Sequence, residues 1–220
     1  MNEILQGVKW MITILILILL AGIFYFGTVF YRFDSSPFSK ETGYTFFETL
    51  LNKEVHALKK LYDAVGRQKG DQRLLLNVKV DDSKQNNSSN AILIHTAGIF
   101  VIQLKFKKGW ISGSEKNAEW IEQLHGGKVE QFTNPIHESL RMIYGISDLV
   151  PELDKKNYQS VVFFSNDCSF QQIEVTSETA DVLKMSEITR WANALEGNQL
   201  SKEQIDTTYD ALKSYSQLKK

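Results

Sequence analysis

The sequence predicts a mixed-sheet α/β domain preceded by one transmembrane helix. Two observations lead to this prediction. A long apolar run without charged side chains stands near the start of the chain. After it, the segments follow in the order helix, strand hairpin, helix, strand, helices. The length of 220 residues suits one ordinary domain plus a short appendage.

The charges of the chain nearly cancel, because 25 Lys and Arg residues stand against 26 Asp and Glu residues. This balance argues against a protein that coats nucleic acid, although a local basic patch remains compatible with it. The single cysteine, Cys168, cannot form an internal disulfide, which fits a reducing compartment. No histidine stands near Cys168 in the sequence, so we expect a small packed residue rather than a nucleophile.

The apolar run covers residues 10–31, between Lys9 and Arg32, and follows a short tail at 1–9. At a rise of ~1.5 Å per residue a helix of this length crosses a bilayer core of ~30 Å. The run is longer than the ~7–15 apolar residues of a cleaved signal peptide, so a retained anchor is predicted. Arg32 and Lys40 follow the span and only Lys9 precedes it, which favours a single-pass protein of the cell membrane with a cytoplasmic domain.

A polar segment at 32–40 is interpreted as a linker between the anchor and the domain. From Glu41 to Arg67, apolar residues recur at intervals of three and four and predict one amphipathic helix. The residues of this apolar stripe are Phe47, Leu50, Leu51, Val55, Leu58 and Leu61. Residues 74–80 are strand-like, and a polar loop follows at 81–90.

A β-hairpin is predicted where residues 91–95 and 99–106 flank a tight turn that ends at Gly98. Side chains alternate along a strand, so Gln103 and Lys105 point to the same face of the second hairpin strand. Further short strands are predicted at 109–113, 118–124, 160–164 and 182–184.

Three helices complete the prediction. The first begins after Asn134-Pro135 and runs to about Leu149, with proline in its first turn. The other two occupy 186–196 and the residues from Ser201 onward, where Ser201 and Gln204 form a capping-box pattern. We therefore assign the domain to residues 41–184 and a pair of C-terminal helices, packed on or beside it, to 185–220.

Several runs carry a specific resemblance: NAILIHTAGIFVIQLK at 90–105, GWISGSE at 109–115, Trp120, and QFTNPI at 131–136. In order and spacing this stretch resembles the nuclease-related domain (NERD) family over about residues 41–165. That family is similar to the PD-(D/E)xK nucleases. The resemblance implies a restriction-endonuclease-like mixed sheet flanked by helices.

The resemblance also implies where catalytic residues would lie. In such nucleases an Asp and a Glu hold Mg²⁺, which activates water, and a lysine on the same strand as the Glu assists. Here the Asp position is Asn90, the Glu position is Gln103, and the lysine is Lys105. Both amides keep the shape of a carboxylate and remove its charge. We therefore expect a degenerate site with no metal and no other cofactor.

Three interpretations of these positions stay open. The first is a catalytically inactive fold that keeps a groove for nucleic acid or protein, and the second is a structural remnant that works as an interaction scaffold. The third is an active Mg²⁺-dependent nuclease of DNA or RNA with relocated ligands. The candidate ligands for the third are Glu41, Asp81, Asp82 and Glu138. Glu138 replaces a glutamine that often follows Asn-Pro in the family, and Asp81 and Asp82 equally suit a solvated turn.

Candidate nucleic-acid contacts follow the second hairpin strand. There Lys105, Lys107 and Lys108 would bind phosphates, and Trp110 would stack on a base. The alternative is a solvated lysine edge that protects a strand against aggregation. The expected partners are thus the lipid bilayer and either DNA, RNA or another protein, and no small-molecule substrate is indicated. Our leading prediction is a membrane-anchored binding module without nuclease activity.

Overall fold

A computed structural model describes residues 2–68, 70–80 and 90–218 of the chain. The chain divides into two compact units. The first runs to Leu51 and the second from Asn52 to Leu218. The second unit thus begins eleven residues after position 41, where the sequence suggested the start of the domain.

The first unit is helical. It contains α1 (Asn2–Asp34), α2 (Pro37–Thr42) and α3 (Phe46–Leu51). Within α1, residues Gln6–Asp34 are long and apolar enough to cross a membrane, and none of their most apolar stretch is buried inside the protein. Ser36 caps α2 through its hydroxyl, and Gly43 ends it in the left-handed conformation with φ 72°. The segment 32–40, which was interpreted as a linker, therefore contains the end of α1 and most of α2.

The single amphipathic helix predicted from Glu41 to Arg67 is wrong in its first half. Residues 43–45 interrupt the helix. Asn52 then starts a new helix, α4 (Lys53–Val65), by accepting a hydrogen bond from the Glu54 N–H at 2.8 Å. Val55, Leu58 and Leu61 are buried as predicted. The earlier part of the same apolar stripe is exposed, with Phe47 at 49%, Leu50 at 63% and Leu51 at 80%.

Two sheets form the second unit. The first consists of β1 (Gln72–Leu76), β2 (Asn90–His95), β3 (Gly98–Lys105), β7 (Tyr158–Phe164) and β9 (Ala180–Lys184), in that spatial order. The second consists of β4 (Trp110–Ser114), β5 (Glu119–Gln123), β6 (Val129–Thr133) and β8 (Ser169–Glu174), in the order β6-β5-β4-β8. Both sheets mix parallel and antiparallel pairs, so the predicted mixed-sheet α/β fold is confirmed. Strands β6 and β8 were not predicted.

The predicted hairpin of β2 and β3 is present and forms the centre of the first sheet. Gly98 begins β3 with φ 138°, and a Cβ there would stand 2.8 Å from the Asn157 carbonyl oxygen, so glycine is required. Strand β3 runs parallel to β7, and α5 (Pro135–Leu149) lies in the long connection between them. Both faces of β3 are covered, and every residue from Gly98 to Leu104 is buried.

Helices cover the two faces of the first sheet. Helix α5 and α7 (Lys202–Leu212) pack with Ile99 and Val101 in one apolar cluster. On the opposite face, α6 (Ile188–Asn193) places Trp191 edge-on to Phe100 and Phe163, with ring centroids 5.5 and 5.4 Å apart. Short 3₁₀ turns occupy Lys155–Asn157, Met185–Glu187 and Lys213–Tyr215. The predicted capping box of Ser201 and Gln204 is confirmed at the start of α7.

The second sheet packs one face against the first sheet and exposes the other. Trp120 is fully buried and stacks on Phe164 of β7, with ring centroids 5.9 Å apart and the planes nearly parallel. On the other face, Trp110 and Ile121 are each 40% exposed and Val129 is 57% exposed. The strands that carry Gln103 and Lys105 thus lie in the covered sheet, whereas the second sheet offers an open surface.

Candidate functional site

The three positions predicted to be catalytic lie together at one end of the β2–β3 hairpin. Asn90 and Gln103 are paired directly across the two antiparallel strands, and Lys105 follows two residues after Gln103. The side chains of Gln103 and Lys105 both reach α5 on the same face of the sheet, because alternate residues of a strand share a face. The fold therefore places Asn90, Gln103 and Lys105 close together, as the sequence analysis predicted.

Asn90 is part of the fold's hydrogen bonding. Its side-chain Oδ1 accepts a hydrogen bond from the Val78 N–H at 2.7 Å, and its carbonyl oxygen accepts one from the Asn77 N–H at 2.8 Å. Both bonds tie the start of β2 to the chain that leaves β1. This side chain satisfies a backbone donor, which explains a polar residue here without any ligand.

Gln103 is only 2% exposed. Its Nε2 lies 3.2 Å from the Met142 sulfur on α5, a weak acceptor, and its Oε1 has no hydrogen-bond partner within residues 2–68, 70–80 and 90–218. A carboxylate at this position would be a buried negative charge beside a thioether, which is far more costly than a buried amide. The neutral residue thus fits the apolar surroundings that α5 provides.

Lys105 is engaged in an ion pair. Its Nζ lies 2.5 Å from Glu138 Oε2, and the two side chains are only 11% and 18% exposed. Glu138 stands on the first turn of α5, facing β3. The carboxylate that the sequence offered as a relocated metal ligand is therefore the counter-charge of Lys105.

Of the remaining candidate ligands, the structure describes Glu41 alone. Glu41 lies on α2 in the first unit and is exposed, and Asp81 and Asp82 fall outside the residues that the structure describes. Across the described ranges, no group of three or more His, Cys, Asp or Glu residues is arranged to hold a metal ion. A Mg²⁺ ion prefers several anionic oxygens, and here Asn90 and Gln103 supply only neutral amides.

The lysine edge is also partly neutralised. Lys107 Nζ lies 2.9 Å from Glu122 Oε2 and 4.2 Å from the centroid of the Phe132 ring. Lys108 is exposed and Trp110 is 40% exposed, with its ring 5.0 Å from that of His125. Of the four predicted nucleic-acid contacts, Lys108 and Trp110 are therefore the two that face solvent freely.

Glu122 is a structural carboxylate that the sequence analysis missed. Its Oε1 accepts hydrogen bonds from the N–H groups of Lys108 and Gly109 at 2.8 and 3.0 Å. Burial works to raise the pKa of Glu122, but these bonds and the ammonium of Lys107 outweigh burial and hold it below its ordinary value. The alternation around Ile121 was the available signal, because it places Glu122 on the same face as the buried Trp120.

Asn134 has a larger structural role than the helix start predicted for it. It is fully buried, and its Nδ2 donates to the carbonyl oxygens of Ser114, Glu115 and Asn117 at 3.2, 3.0 and 2.7 Å. Its Oδ1 accepts from the Ile136 N–H at 2.9 Å and caps α5. One amide thus joins the β4–β5 turn to the helix that carries Glu138.

The segment 109–115 is also explained by packing. A Cβ on Gly113 would stand 2.2 Å from the Trp120 ring, so only glycine fits between β4 and this buried side chain. Glu115 Oε2 accepts hydrogen bonds from the N–H groups of Thr176 and Ser177, at 2.9 and 3.0 Å. Hydrogen bonding from Ser177 is the main cause that holds the pKa of Glu115 below its ordinary value, against the effect of burial.

Comparison with known proteins places the chain in a family. The family model described as "Nuclease-related domain" matches residues 51–165, just over half of the chain. The chain is also 28% identical over 121 residues to an uncharacterized protein of Bacillus anthracis, a match that covers 55% of this chain and 56% of that relative. No solved structure gives a significant match. The chain therefore belongs to the nuclease-related domain family.

Proposed function

We propose that the protein is a membrane-anchored member of this family that is inactive as a nuclease and works as a binding module. One observation carries the proposal. All three positions expected to be catalytic are committed to the fold: Asn90 to the Val78 N–H, Gln103 to the surface of Met142, and Lys105 to Glu138. Asn90 and Lys105 thus have polar partners within the fold, and Gln103 adds only one neutral amide oxygen without a hydrogen-bond partner among the described residues.

The charge at the site supports inactivity. Hydrolysis of a phosphodiester at neutral pH relies on a metal ion to activate water and to stabilise the leaving oxygen. Two amides in place of two carboxylates remove the anionic ligands, and Glu138 alone, already paired with Lys105, is a poor substitute. The alternative of an active nuclease with relocated ligands lacks support, because no group of three or more His, Cys, Asp or Glu among the described residues is arranged to hold a metal ion.

The packing of α1 supports a retained anchor. Phe26, Phe30 and Phe33 all lie within 6.1 Å of the Phe46 ring of α3, measured between centroids. Cleavage of α1 as a signal peptide would remove these partners from α3. The anchor is therefore proposed to stay in the mature protein, with Arg32 and Lys40 on the cytoplasmic side of the cell membrane.

A protein partner is better supported than a nucleic acid. Lys105 and Lys107, which would have to contact phosphates, are each paired with a carboxylate. The open face of the second sheet exposes Trp110, Ile121 and Val129, a composition typical of protein contacts. Nucleic acid is the second candidate, because Lys108 and Trp110 remain exposed. The Lys108 ammonium can bind a phosphate, and the Trp110 ring can stack on a base.

The proposal is tested by a cleavage assay on the full chain in detergent micelles, with labelled single- and double-stranded DNA and RNA in Mg²⁺ or Mn²⁺. The wild-type chain, Lys105→Ala and the double variant Asn90→Asp/Gln103→Glu are compared. We expect no cleavage by the wild-type chain. Cleavage that requires metal and disappears in Lys105→Ala would show an active enzyme and refute the proposal.

The double variant separates the two inactive forms. Cleavage by Asn90→Asp/Gln103→Glu alone would identify a disarmed nuclease whose groove still accepts nucleic acid. Cleavage by neither chain would favour the interaction scaffold. In that case a gel-shift titration at low salt, comparing the wild-type chain with Lys108→Ala, decides whether any nucleic-acid contact remains.

A further inference from the structure

Helix α3 exposes an apolar surface within the first unit. Phe47, Leu50 and Leu51 are 49%, 63% and 80% exposed, although their spacing is that of a buried helix face. Three large apolar side chains that are exposed together on a six-residue helix call for a covering partner.

The position of α3 identifies that partner. Phe47 packs on Phe26 and Phe30 of α1, with centroids 6.3 and 6.1 Å apart, and also lines an apolar groove with Ile18, Leu19 and Gly22 of α1. Helix α3 thus lies along the membrane-spanning helix rather than beyond its end. Whatever solvates the exposed side chains of α1 at this level also surrounds Phe47.

The depth can be worked out from α1. Phe26 lies six residues before Arg32, the first charged residue after the apolar run, which corresponds to ~9 Å along a helix axis. Helices that lie in the plane of a membrane bury their apolar face by ~5–10 Å into the boundary between headgroups and acyl chains. The level at which α3 contacts α1 matches this depth.

The polar groups of α3 are compatible with such a position. Glu48 accepts hydrogen bonds from the Thr45 N–H and hydroxyl at 3.0 and 3.1 Å, at the start of the helix. The Thr49 hydroxyl donates to the Thr45 carbonyl oxygen at 3.1 Å. The polar side chains of Thr45, Glu48 and Thr49 therefore have hydrogen-bond partners within this segment, and the apolar side chains at the other end suit an apolar environment.

We propose that α3 is a second membrane contact, a short interfacial helix that inserts Phe47, Leu50 and Leu51 into the leaflet around the C-terminal end of α1. The inference rests on the proposed membrane anchoring and deepens it. The membrane anchor then consists of the membrane-spanning helix α1 and the interfacial helix α3. Helix α3 holds the chain at the membrane surface just before the nuclease-related domain begins.

The test uses the full chain in phosphatidylcholine–phosphatidylglycerol vesicles, with Cys168→Ser as the background. An environment-sensitive fluorophore is attached at Leu51→Cys. Leu17→Cys on α1 is the reference for membrane insertion, and Leu149→Cys, an exposed leucine of the second unit, is the matched control. Each label is quenched in turn by lipids with a nitroxide at a shallow or a deep acyl position, and by iodide in the water.

The Leu51 label is expected to emit at shorter wavelength than the Leu149 label, and to lose most fluorescence to the shallow nitroxide. Quenching of Leu51 by iodide alone, while Leu17 is quenched by lipid, would overturn the inference and leave the anchor intact. Protection of Leu51 from both quenchers would also overturn it, because a protein surface would then cover α3. Absence of lipid quenching at Leu17 would instead refute the membrane anchoring on which the inference rests.

Discussion

Replacement of Glu138 by leucine is the perturbation that bears most directly on the proposed site. It removes the carboxylate that lies 2.5 Å from the Lys105 ammonium and leaves that charge without its partner. Loss of one member of a buried ion pair lowers the free energy of unfolding by ~3–5 kcal/mol. Because the two side chains keep 11% and 18% exposure, we expect the lower end of this range, about 3 kcal/mol.

The double variant Lys105→Met/Glu138→Leu provides the decisive comparison. Well-packed apolar residues in place of a buried ion pair are often neutral or stabilising, because both desolvated charges are removed. The double variant is therefore expected to be more stable than Glu138→Leu alone. A surface pair supplies the matched control: Lys53 and Asp167 are 70% and 50% exposed, so Asp167→Leu is expected to change stability by ~0–1 kcal/mol.

The assay is urea unfolding of the full chain in detergent micelles, followed by far-UV circular dichroism, with the coupling of the two residues obtained from the mutant cycle. A Glu138→Leu effect no larger than that of Asp167→Leu would refute the reasoning. So would a double variant that loses the sum of the two single effects, because Lys105 and Glu138 would then be independent.

Three further predictions follow from the site. Asn134→Ala removes a buried cap and three carbonyl contacts, so the free energy of unfolding should fall by about 3 kcal/mol in the same urea assay. Gly113→Ala forces a methyl group into the Trp120 ring and should cost ~1–3 kcal/mol, whereas Ser112→Ala on the open face should have little effect. The pKa of Glu122 in the folded protein lies below its ordinary value of 4.5. The Glu122 charge therefore stabilises the protein at pH values above 4.5, and this stabilisation is lost as the pH falls through the pKa of the folded state. Urea titrations from pH 7 to pH 3 should therefore show Glu122→Gln less stable than wild type at neutral pH, with the difference shrinking in acid; a constant difference would contradict the assignment.

Elements with strong local signals could be predicted from the sequence. The β2–β3 hairpin is marked by its glycine turn and two apolar runs, and α5 by Asn134 and Pro135 at its start. The common face of Gln103 and Lys105 followed from the strand period, whereas the position of Asn90 at the same site followed from the family resemblance. Local chemistry was sufficient at these places because neighbours in space are also near in sequence.

Strands β6 and β8 could not be predicted in the same way. They are the two edge strands of the second sheet and are largely polar and exposed, as the runs VEQFT and SFQQIE show. Edge strands are short and charged or polar because this suppresses pairing with other chains, and the same property removes the apolar alternation that reveals a strand. Pairing of β8 with β4 also joins segments more than fifty residues apart.

The exposure of individual side chains and the partners of charged residues could not be predicted from the sequence either. Phe47 and Leu58 have equivalent positions in one periodic pattern, yet Asn52 starts a new helix and only Leu58 reaches the core. Glu138 was a candidate metal ligand by its chemistry. Its partner, Lys105, stands on a strand that only the folded chain brings next to α5.

A titration with Mn²⁺ tests most directly whether the β2–β3 hairpin lacks a metal site, as proposed. Water-proton relaxation or calorimetry on the full chain in micelles would compare the wild type with Glu138→Gln and with Asn90→Asp/Gln103→Glu. We expect no saturable Mn²⁺ binding that depends on Glu138, and therefore the same titration curve for the wild type and Glu138→Gln. Saturable binding by the wild-type chain that Glu138→Gln abolishes would contradict this expectation and identify Glu138 as a metal ligand.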